Sequence, residues 1–179
     1  MRHIIARLHV RAINMASTRG ILQVGHITLP CALGRGGRKV LKREGDGATP
    51  VGNWKLRQLY YRPDRLNRPR QMLSAQALSR AAGWCDGVGD RNYNRAVSLP
   101  YPASHEEMWR SDALYDVVVT LDHNERPRVQ GFGSAVFFHL AGSGFTPTAG
   151  CVALRREDML RLLPLCGRRT RLTVWPVKP

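Results

Sequence analysis

The sequence has few acidic residues, and no two of its cysteines have the spacing of a zinc site. The 179 residues include 13 acidic against 28 basic residues, for a formal net charge of +15. The four cysteines, at positions 31, 85, 151 and 166, form no Cys-x-x-Cys pair, so we expect no structural zinc. An even number of cysteines permits two disulfides, but the spacing does not require them.

The N-terminal segment lacks a continuous apolar run, because Arg7, His9 and Arg11 interrupt it. The sequence therefore shows neither a secretory signal nor a transmembrane segment. It also lacks the aromatic motif of RNA-binding domains and the spacings of helix-turn-helix and zinc-finger proteins, so we expect no specific nucleic-acid partner. The basic charge suits a polyanion in general, and an anionic cell-wall polymer qualifies beside anionic lipid and nucleic acid.

Short apolar or alternating segments predict a mainly β protein with one or two short helices. The chain length fits a single domain, 1–179. Helical spacing predicts a helix at 157–166 and a second short one at 73–82. Residues 62–112, rich in Arg, Pro, Asn and Gly, are too long for a plain connection and predict a loop insertion or lid. We predict strands at 3–10, 20–29, 54–60, 114–121, 134–140, 151–154 and 170–177.

One histidine and one cysteine occupy neighbouring predicted strands. His139 lies near the end of one apolar strand, and Cys151 follows Gly150 at the start of the next. A thiol becomes a strong nucleophile as thiolate, and a nearby imidazole can take its proton. Gly150 permits a close approach to a substrate carbonyl, and the amides of Ala149, Gly150 and Cys151 are candidates to bind an oxyanion. The pattern predicts a cysteine acyl-transfer site.

Three other patterns have simpler interpretations. Cys85 is a rival thiol that can line a pocket, but the neighbouring Asp86 disfavours its thiolate. The segment 105–107, His-Glu-Glu, lacks the second histidine of a zinc protease, so we interpret it as a solvated turn or helix start. The glycine-basic segment 34–39 lacks the spacing of a phosphate-binding loop, and we interpret it as a flexible turn.

Three segments together resemble the catalytic domain of YkuD-type L,D-transpeptidases, which are cysteine enzymes of bacterial peptidoglycan. Residues 42–52 are similar to the family's glycine-rich Thr-Pro-x-Gly segment. Residues 137–139, Phe-Phe-His, resemble the strand that bears the catalytic histidine, and 148–152, Thr-Ala-Gly-Cys-Val, resemble the Gly-Cys signature. The likeness extends from about residue 20 to 177, and residues 84–116 resemble one compact bacterial branch.

The resemblance implies a β-sandwich or mixed β-sheet fold and an acyltransferase without cofactor. Cys151 would form a thioester with a stem tetrapeptide, with His139 as its base, and release the terminal D-amino acid. An amine acceptor would then take the acyl group and cross-link the cell wall. The resemblance also implies a carbapenem target that acts on peptidoglycan stem peptides, in the periplasm or cell wall. We expect a monomer.

The chain departs from the family pattern next to the cysteine. Ala149 stands where members commonly have histidine, and Ala153 where they commonly have arginine. Docking of the substrate carboxylate then falls to Arg155, to Arg156 or to an arginine of the insertion. Two alternatives stay open: an L,D-carboxypeptidase or amidase on the same polymer, and a non-catalytic basic module that binds cell wall or nucleic acid. Substrate contacts are expected from Arg155, Thr148, Trp84, Cys85, Tyr93 and Trp109.

Overall fold

The computed structural model describes residues 4–176 and confirms the mainly β prediction. One α-helix, α1 (Arg156–Leu162), and two short 3-10 turns accompany the strands in this part of the chain. None of its helices is long and apolar enough to span a membrane. The strands are β1 (Arg7–Arg11), β2 (Arg19–Val24), β3 (Ile27–Ala32), β4 (Arg38–Lys39), β5 (Thr49–Pro50), β6 (Gly52–Tyr61), β7 (Ser74–Ala77), β8 (Ala82–Cys85), β9 (Arg95–Ser98), β10 (His105–Glu107), β11 (Val117–Leu121), β12 (Phe137–Leu140), β13 (Val152–Leu154) and β14 (Arg171–Val174).

The main sheet is mixed and closes on itself. Its strand order is β11-β12-β13-β3-β2-β1-β14-β6-β7, and β6 also pairs with β11. Alternate side chains of each strand point to opposite faces, so one set of apolar residues fills the interior. Leu8, Leu22, Leu59, Phe138 and Leu172 are among its fully buried members. Burying each such side chain contributes roughly 1.5–3 kcal/mol, which makes this core the main support of the fold.

A smaller three-stranded sheet, β10-β8-β9, is built from residues 82–107. The prediction of a loop insertion at 62–112 is therefore incomplete, because this segment contains strands β7 to β10. The predicted helix at 73–82 is wrong. Residues 74–77 instead pair in parallel with residues 58–61 of β6, because strand pairing along β6 outweighs the weak helical preference of a short segment.

Several predicted boundaries differ from the observed elements. The single strand predicted at 20–29 is a hairpin of β2 and β3, which turns at Gly25 with φ of 55°. The predicted helix at 157–166 begins at Arg156 and ends at Leu162, and a 3-10 turn that contains Pro164 follows it. The strand predicted at 3–10 begins at Arg7 and the one predicted at 170–177 ends at Val174. Residues 3 and 177 lie outside the described part.

A second apolar cluster lies between the closed sheet and the small sheet. It joins Val118 and Phe137 of the main sheet to Leu78 and Met108 of the segment 62–112, and it includes Cys151. Trp84 of β8 packs against this cluster with its ring edge-on to Phe137, at 5.2 Å between ring centroids. The small sheet is thereby fixed beside the strand ends that carry Cys151.

Candidate active site

A cleft of about 400 Å³ opens beside this second cluster. Its lining brings together the two residues that the sequence paired, His139 and Cys151, with charged side chains from the segment 35–44 and from the small sheet and its flanking residues. The charged members are Arg35, Lys42, Glu44, Asp86, Glu106 and Arg110.

The register of two parallel strands sets the relative positions of His139 and Cys151. His139 of β12 lies opposite Ala153 of β13, and Cys151 immediately precedes β13. Paired residues of neighbouring strands share a face, and positions two apart in a strand also share one. His139 and Cys151 therefore face the same side of the sheet, offset by roughly 6.6 Å along the strands.

Cys151 is buried and held by backbone groups of the segment before β12. Its thiol donates a hydrogen bond to the carbonyl of Ala135 at 3.3 Å, and its Sγ accepts one from the amide of Phe137 at 3.2 Å. Burial raises the pKa of the Cys151 thiol to about 12, and the negative charge of Glu106 acts in the same direction. The resting residue is therefore a neutral thiol.

His139 is equally buried, and its tautomer follows from one hydrogen bond. Nδ1 lies 2.8 Å from the carbonyl oxygen of Leu140, and a carbonyl can only accept, so Nδ1 carries the proton and Nε2 is the basic nitrogen. The ring of Tyr115 packs edge-on against the imidazole, at 5.2 Å between centroids. Burial lowers the pKa of His139 to about 4. The imidazole is therefore neutral at pH 7 and free to accept a proton.

The resting pair is a neutral thiol beside a neutral imidazole. The thiol donates its hydrogen bond to Ala135 rather than to His139. The two residues are therefore not a preformed ion pair, and a thiolate at Cys151 would require the thiol to reorient and transfer its proton. The carbonyl that orients the imidazole belongs to Leu140, the residue that follows His139.

Gly150 and Thr148 shape the turn that presents Cys151. Gly150 has φ of 138°, and a Cβ there would lie 2.9 Å from the carbonyl oxygen of Ala48. The glycine thus permits a close approach to Ala48, where the sequence predicted an approach to substrate. The Thr148 hydroxyl donates to the Cys151 carbonyl at 2.7 Å and accepts from the Gly150 amide at 3.1 Å. The amides of Ala149 and Cys151 donate to no group within residues 4–176 and stay available for an oxyanion.

Thr49, in the segment 42–52, stabilises this turn through hydrogen bonds. Thr49 donates its hydroxyl to the Cys151 carbonyl at 3.3 Å and accepts from the amide of Gly34 at 2.8 Å. Lys42 and Asp46 form an ion pair at 2.5 Å, and both side chains are less than a tenth exposed. The glycine-basic segment 34–39 is anchored rather than a free turn, since the buried Arg38 donates to the carbonyl of Asn14 at 2.9 Å.

The two walls of the cleft differ in charge. Lys42 and Arg35 lie on the wall formed by the main sheet and its loops. Lys42 is committed to Asp46, whereas the exposed Arg35 side chain makes no ion pair or hydrogen bond within residues 4–176. Asp86 and Glu106 come from the small sheet on the other wall.

Glu106 is the charged residue most closely linked to the reactive pair. Its Oε1 accepts a hydrogen bond of 2.5 Å from the hydroxyl of Tyr115, whose ring packs against His139. Arg110 lies 3.7 Å from the same oxygen. The interpretation of residues 105–107 as a solvated turn or helix start is wrong: they form β10 and pair with β8. No local pattern marked Glu106, because only the pairing of β10 with β8 brings it to the cleft.

The remaining predicted substrate residues lie outside the cleft lining. Trp84 donates Nε1–H to Asn94 at 3.0 Å, and Cys85 is buried, with its thiol pKa raised by burial. Trp109 packs under the guanidinium of Arg62, at 3.9 Å from the ring centroid.

Two further predicted residues are also displaced from the cleft. The buried Tyr93 donates its hydroxyl to Glu44, a lining residue, at 2.5 Å. Arg155 lies over the ring of Phe145, at 5.2 Å from the centroid, beside the start of α1. Of the residues expected to contact substrate, the cleft lining thus contains Thr148, and a substrate role of the others stays a prediction.

Comparison with known proteins gives one result. The YkuD family model, described as the L,D-transpeptidase catalytic domain, matches residues 17–177. No curated protein and no solved structure gives a significant match. The matched region covers nearly the whole chain and includes every residue of the cleft lining.

Proposed function

Because the chain belongs to the YkuD family of L,D-transpeptidase catalytic domains, we propose that it is a peptidoglycan L,D-transpeptidase that acts in the cell wall. Cys151 is the nucleophile and His139 is its base. One observation carries this assignment: a buried thiol and a neutral imidazole share a cleft with two uncommitted amides. These are the groups that acyl transfer requires.

The first half-reaction forms a thioester with a stem tetrapeptide. As Sγ of Cys151 attacks the carbonyl of the L-centre of the diamino acid, Nε2 of His139 takes the thiol proton. The amides of Ala149 and Cys151 stabilise the oxyanion. The bond from carbon to nitrogen then breaks, and the imidazolium protonates the amine of the departing D-amino acid. The thioester stores the acyl group without ATP or metal.

In the second half-reaction an amine displaces the sulfur. The amine nitrogen bonds to the thioester carbon, the carbon–sulfur bond breaks, and the thiolate regains a proton through His139. Water is the competing nucleophile and would give a trimmed monomer instead. The small sheet borders the cleft and limits access of water, which favours transfer over hydrolysis.

We assign docking of the substrate carboxylate to Arg35. Its guanidinium lines the cleft without an internal partner, and its backbone amide bonds to Thr148 at 2.8 Å, close to Cys151. Arg156 is committed to the buried Asp116 at 3.0 Å, and Arg155 lies over Phe145 outside the cleft. Arg35 thus offers the positive charge that the family places where this chain has Ala153.

Incubation of the protein with disaccharide-tetrapeptide, followed by mass spectrometry, tests the proposal. We expect cross-linked dimers and release of the terminal D-amino acid, and we expect Cys151→Ala to abolish both. Cys85→Ala is the matched control, since it removes another buried thiol beside the cleft. Intact mass after treatment with a carbapenem should show one adduct, lost in Cys151→Ala and kept in Cys85→Ala. Trimmed monomers without dimers would assign a carboxypeptidase, and absence of products and adduct would favour a binding module.

A further inference from the structure

A carboxylate stands beside the nucleophile, where it opposes the chemistry assigned to Cys151. Glu106 lines the same cleft, and its negative charge raises the pKa of the Cys151 thiol beyond the effect of burial. Such a charge makes formation of the thiolate harder. The same negative charge can assist the second half-reaction, in which an amine has to bind and lose a proton.

Glu106 has one oxygen committed and one free. Oε1 accepts from Tyr115 and faces Arg110, whereas Oε2 accepts no hydrogen bond within residues 4–176. Arg110 does not neutralise Glu106 closely, because its Nε and Nη2 donate to Asp112 at 2.9 and 2.7 Å. Oε1 of the carboxylate is thus fixed by a hydrogen bond, whereas Oε2 can still accept one from a ligand.

The surroundings of Glu106 favour a cationic ligand. Asp86, also on the cleft lining, adds a second carboxylate, and its Oδ1 accepts from the hydroxyl of Ser104 at 2.6 Å. Tyr115 and Arg110 lower the pKa of Glu106 and so favour its negative charge. Asp86 and Asp112 raise this pKa by repulsion between like charges. Within residues 4–176 no group of three or more His, Cys, Asp or Glu side chains is placed to hold a metal ion. An ammonium group, which needs one carboxylate, suits this wall.

We propose that Glu106 binds the acceptor of the second half-reaction as a primary ammonium and removes the proton that blocks its attack. This inference rests on the proposed transpeptidase function and adds a catalytic residue to it. Tyr115 is a positioning residue, since its hydroxyl fixes Oε1 of a side chain that lines the cleft, and Oε2 accepts no hydrogen bond in the described part of the chain. The predicted acceptor class is a primary amine that is protonated at neutral pH.

The ammonium gives one proton to Glu106, which becomes the neutral acid, and the free amine attacks the thioester carbon. His139 takes the second proton of the attacking nitrogen as the carbon–nitrogen bond forms. The carbon–sulfur bond breaks, the thiolate of Cys151 takes that proton from the imidazolium, and Glu106 releases its own proton to water. Burial raises the pKa of Glu106, which makes it a better base than an exposed glutamate.

Glu106→Gln tests the proposal, with Glu107→Gln as matched control because Glu107 is exposed on the same strand. The acyl-enzyme is measured first, by intact mass after mixing with tetrapeptide. We expect it to form in both variants as fast as in the parent protein or faster. The ratio of transfer to hydrolysis is then measured with an isotope-labelled tetrapeptide acceptor. It should fall roughly 10²-fold in Glu106→Gln, the low end for a lost general base, and stay unchanged in Glu107→Gln.

A second acceptor separates proton removal from structural damage. Hydroxylamine is largely unprotonated at neutral pH, so its transfer should be the same in Glu106→Gln and in the parent protein. An unchanged ratio with the tetrapeptide acceptor, or equal losses with both acceptors, overturns the role of Glu106 while leaving the transpeptidase function intact. Failure of the parent protein to form an acyl-enzyme overturns the function itself, and this inference with it.

Discussion

The two walls of the cleft have different chemistry and different origins. The wall formed by the closed sheet holds Cys151 and His139, both buried, both neutral at pH 7 and both bonded to backbone groups. The wall formed by the small sheet holds two carboxyl groups, Glu106 on β10 and Asp86 directly after β8. We therefore propose a division of labour, in which the first wall performs the acyl transfer and the second selects what takes part in it.

Substitution of His139 should produce the largest effect on the first wall. In His139→Gln we expect kcat/KM for acylation to fall about 10²–10⁴-fold, because the proposed mechanism assigns removal of the Cys151 proton to His139. The rate is read from release of the D-amino acid. His26→Gln, on the exposed β2–β3 turn, should leave it unchanged. A fall of less than threefold in His139→Gln would show that the two walls do not divide the work in this way.

Substitution of Lys42 tests how much its ion pair with Asp46, beside the first wall, contributes to the free energy of unfolding. Lys42→Met removes the closer and buried of the two cations beside Asp46, and breaking a buried ion pair costs about 3–5 kcal/mol. Chemical denaturation measures the loss in free energy of unfolding. Lys39→Met is the control, since Lys39 is half-exposed and lies 3.8 Å from the same carboxylate, and it should cost no more than about 1 kcal/mol. Equal losses in the two variants would contradict the supporting role of Lys42.

The burial of His139 predicts that stability depends on pH. Its pKa falls from the ordinary histidine value of 6.5 to about 4 on folding because the ring is buried, so the unfolded chain binds more protons between these values. Stability is therefore full above pH 6.5 and decreases as the pH falls toward 4, by roughly 3 kcal/mol from this residue. His139→Gln should reduce the slope. His9 and His123, whose pKa values are also lowered by burial, leave a residual slope. A steeper slope in His139→Gln would refute the assignment.

Loss of Arg35 should have the smallest effect of the four, because the residue is exposed. In Arg35→Gln we expect KM for the tetrapeptide to rise about tenfold with kcat nearly unchanged. A tenfold rise corresponds to the free energy lost with one charge-assisted hydrogen bond. Steady-state kinetics of D-amino acid release measures both. Arg155→Gln removes the same charge outside the cleft and should change neither. The reverse result would move carboxylate docking to the start of α1.

The sequence was sufficient where a local pattern has one physical interpretation. Alternating apolar residues predicted the mainly β fold, and the Gly-Cys turn after an apolar strand with a terminal histidine predicted which two residues share a face. The prediction failed at 73–82, where a weak helical pattern yielded to pairing with β6. Three of the expected substrate contacts, Trp84, Cys85 and Trp109, lie in the small sheet or beside it and outside the cleft lining. Their substrate role stays a prediction.

By itself the sequence determined the strand-forming core, the family and the pair formed by His139 and Cys151, since these depend on residue types at short spacing. Only the tertiary structure decided the protonation of that pair and the composition of the second wall. Burial sets both pKa values, and burial depends on the whole packing. Likewise, Glu106 reaches the cleft because β10 pairs with β8, through a contact between segments that no local pattern encodes.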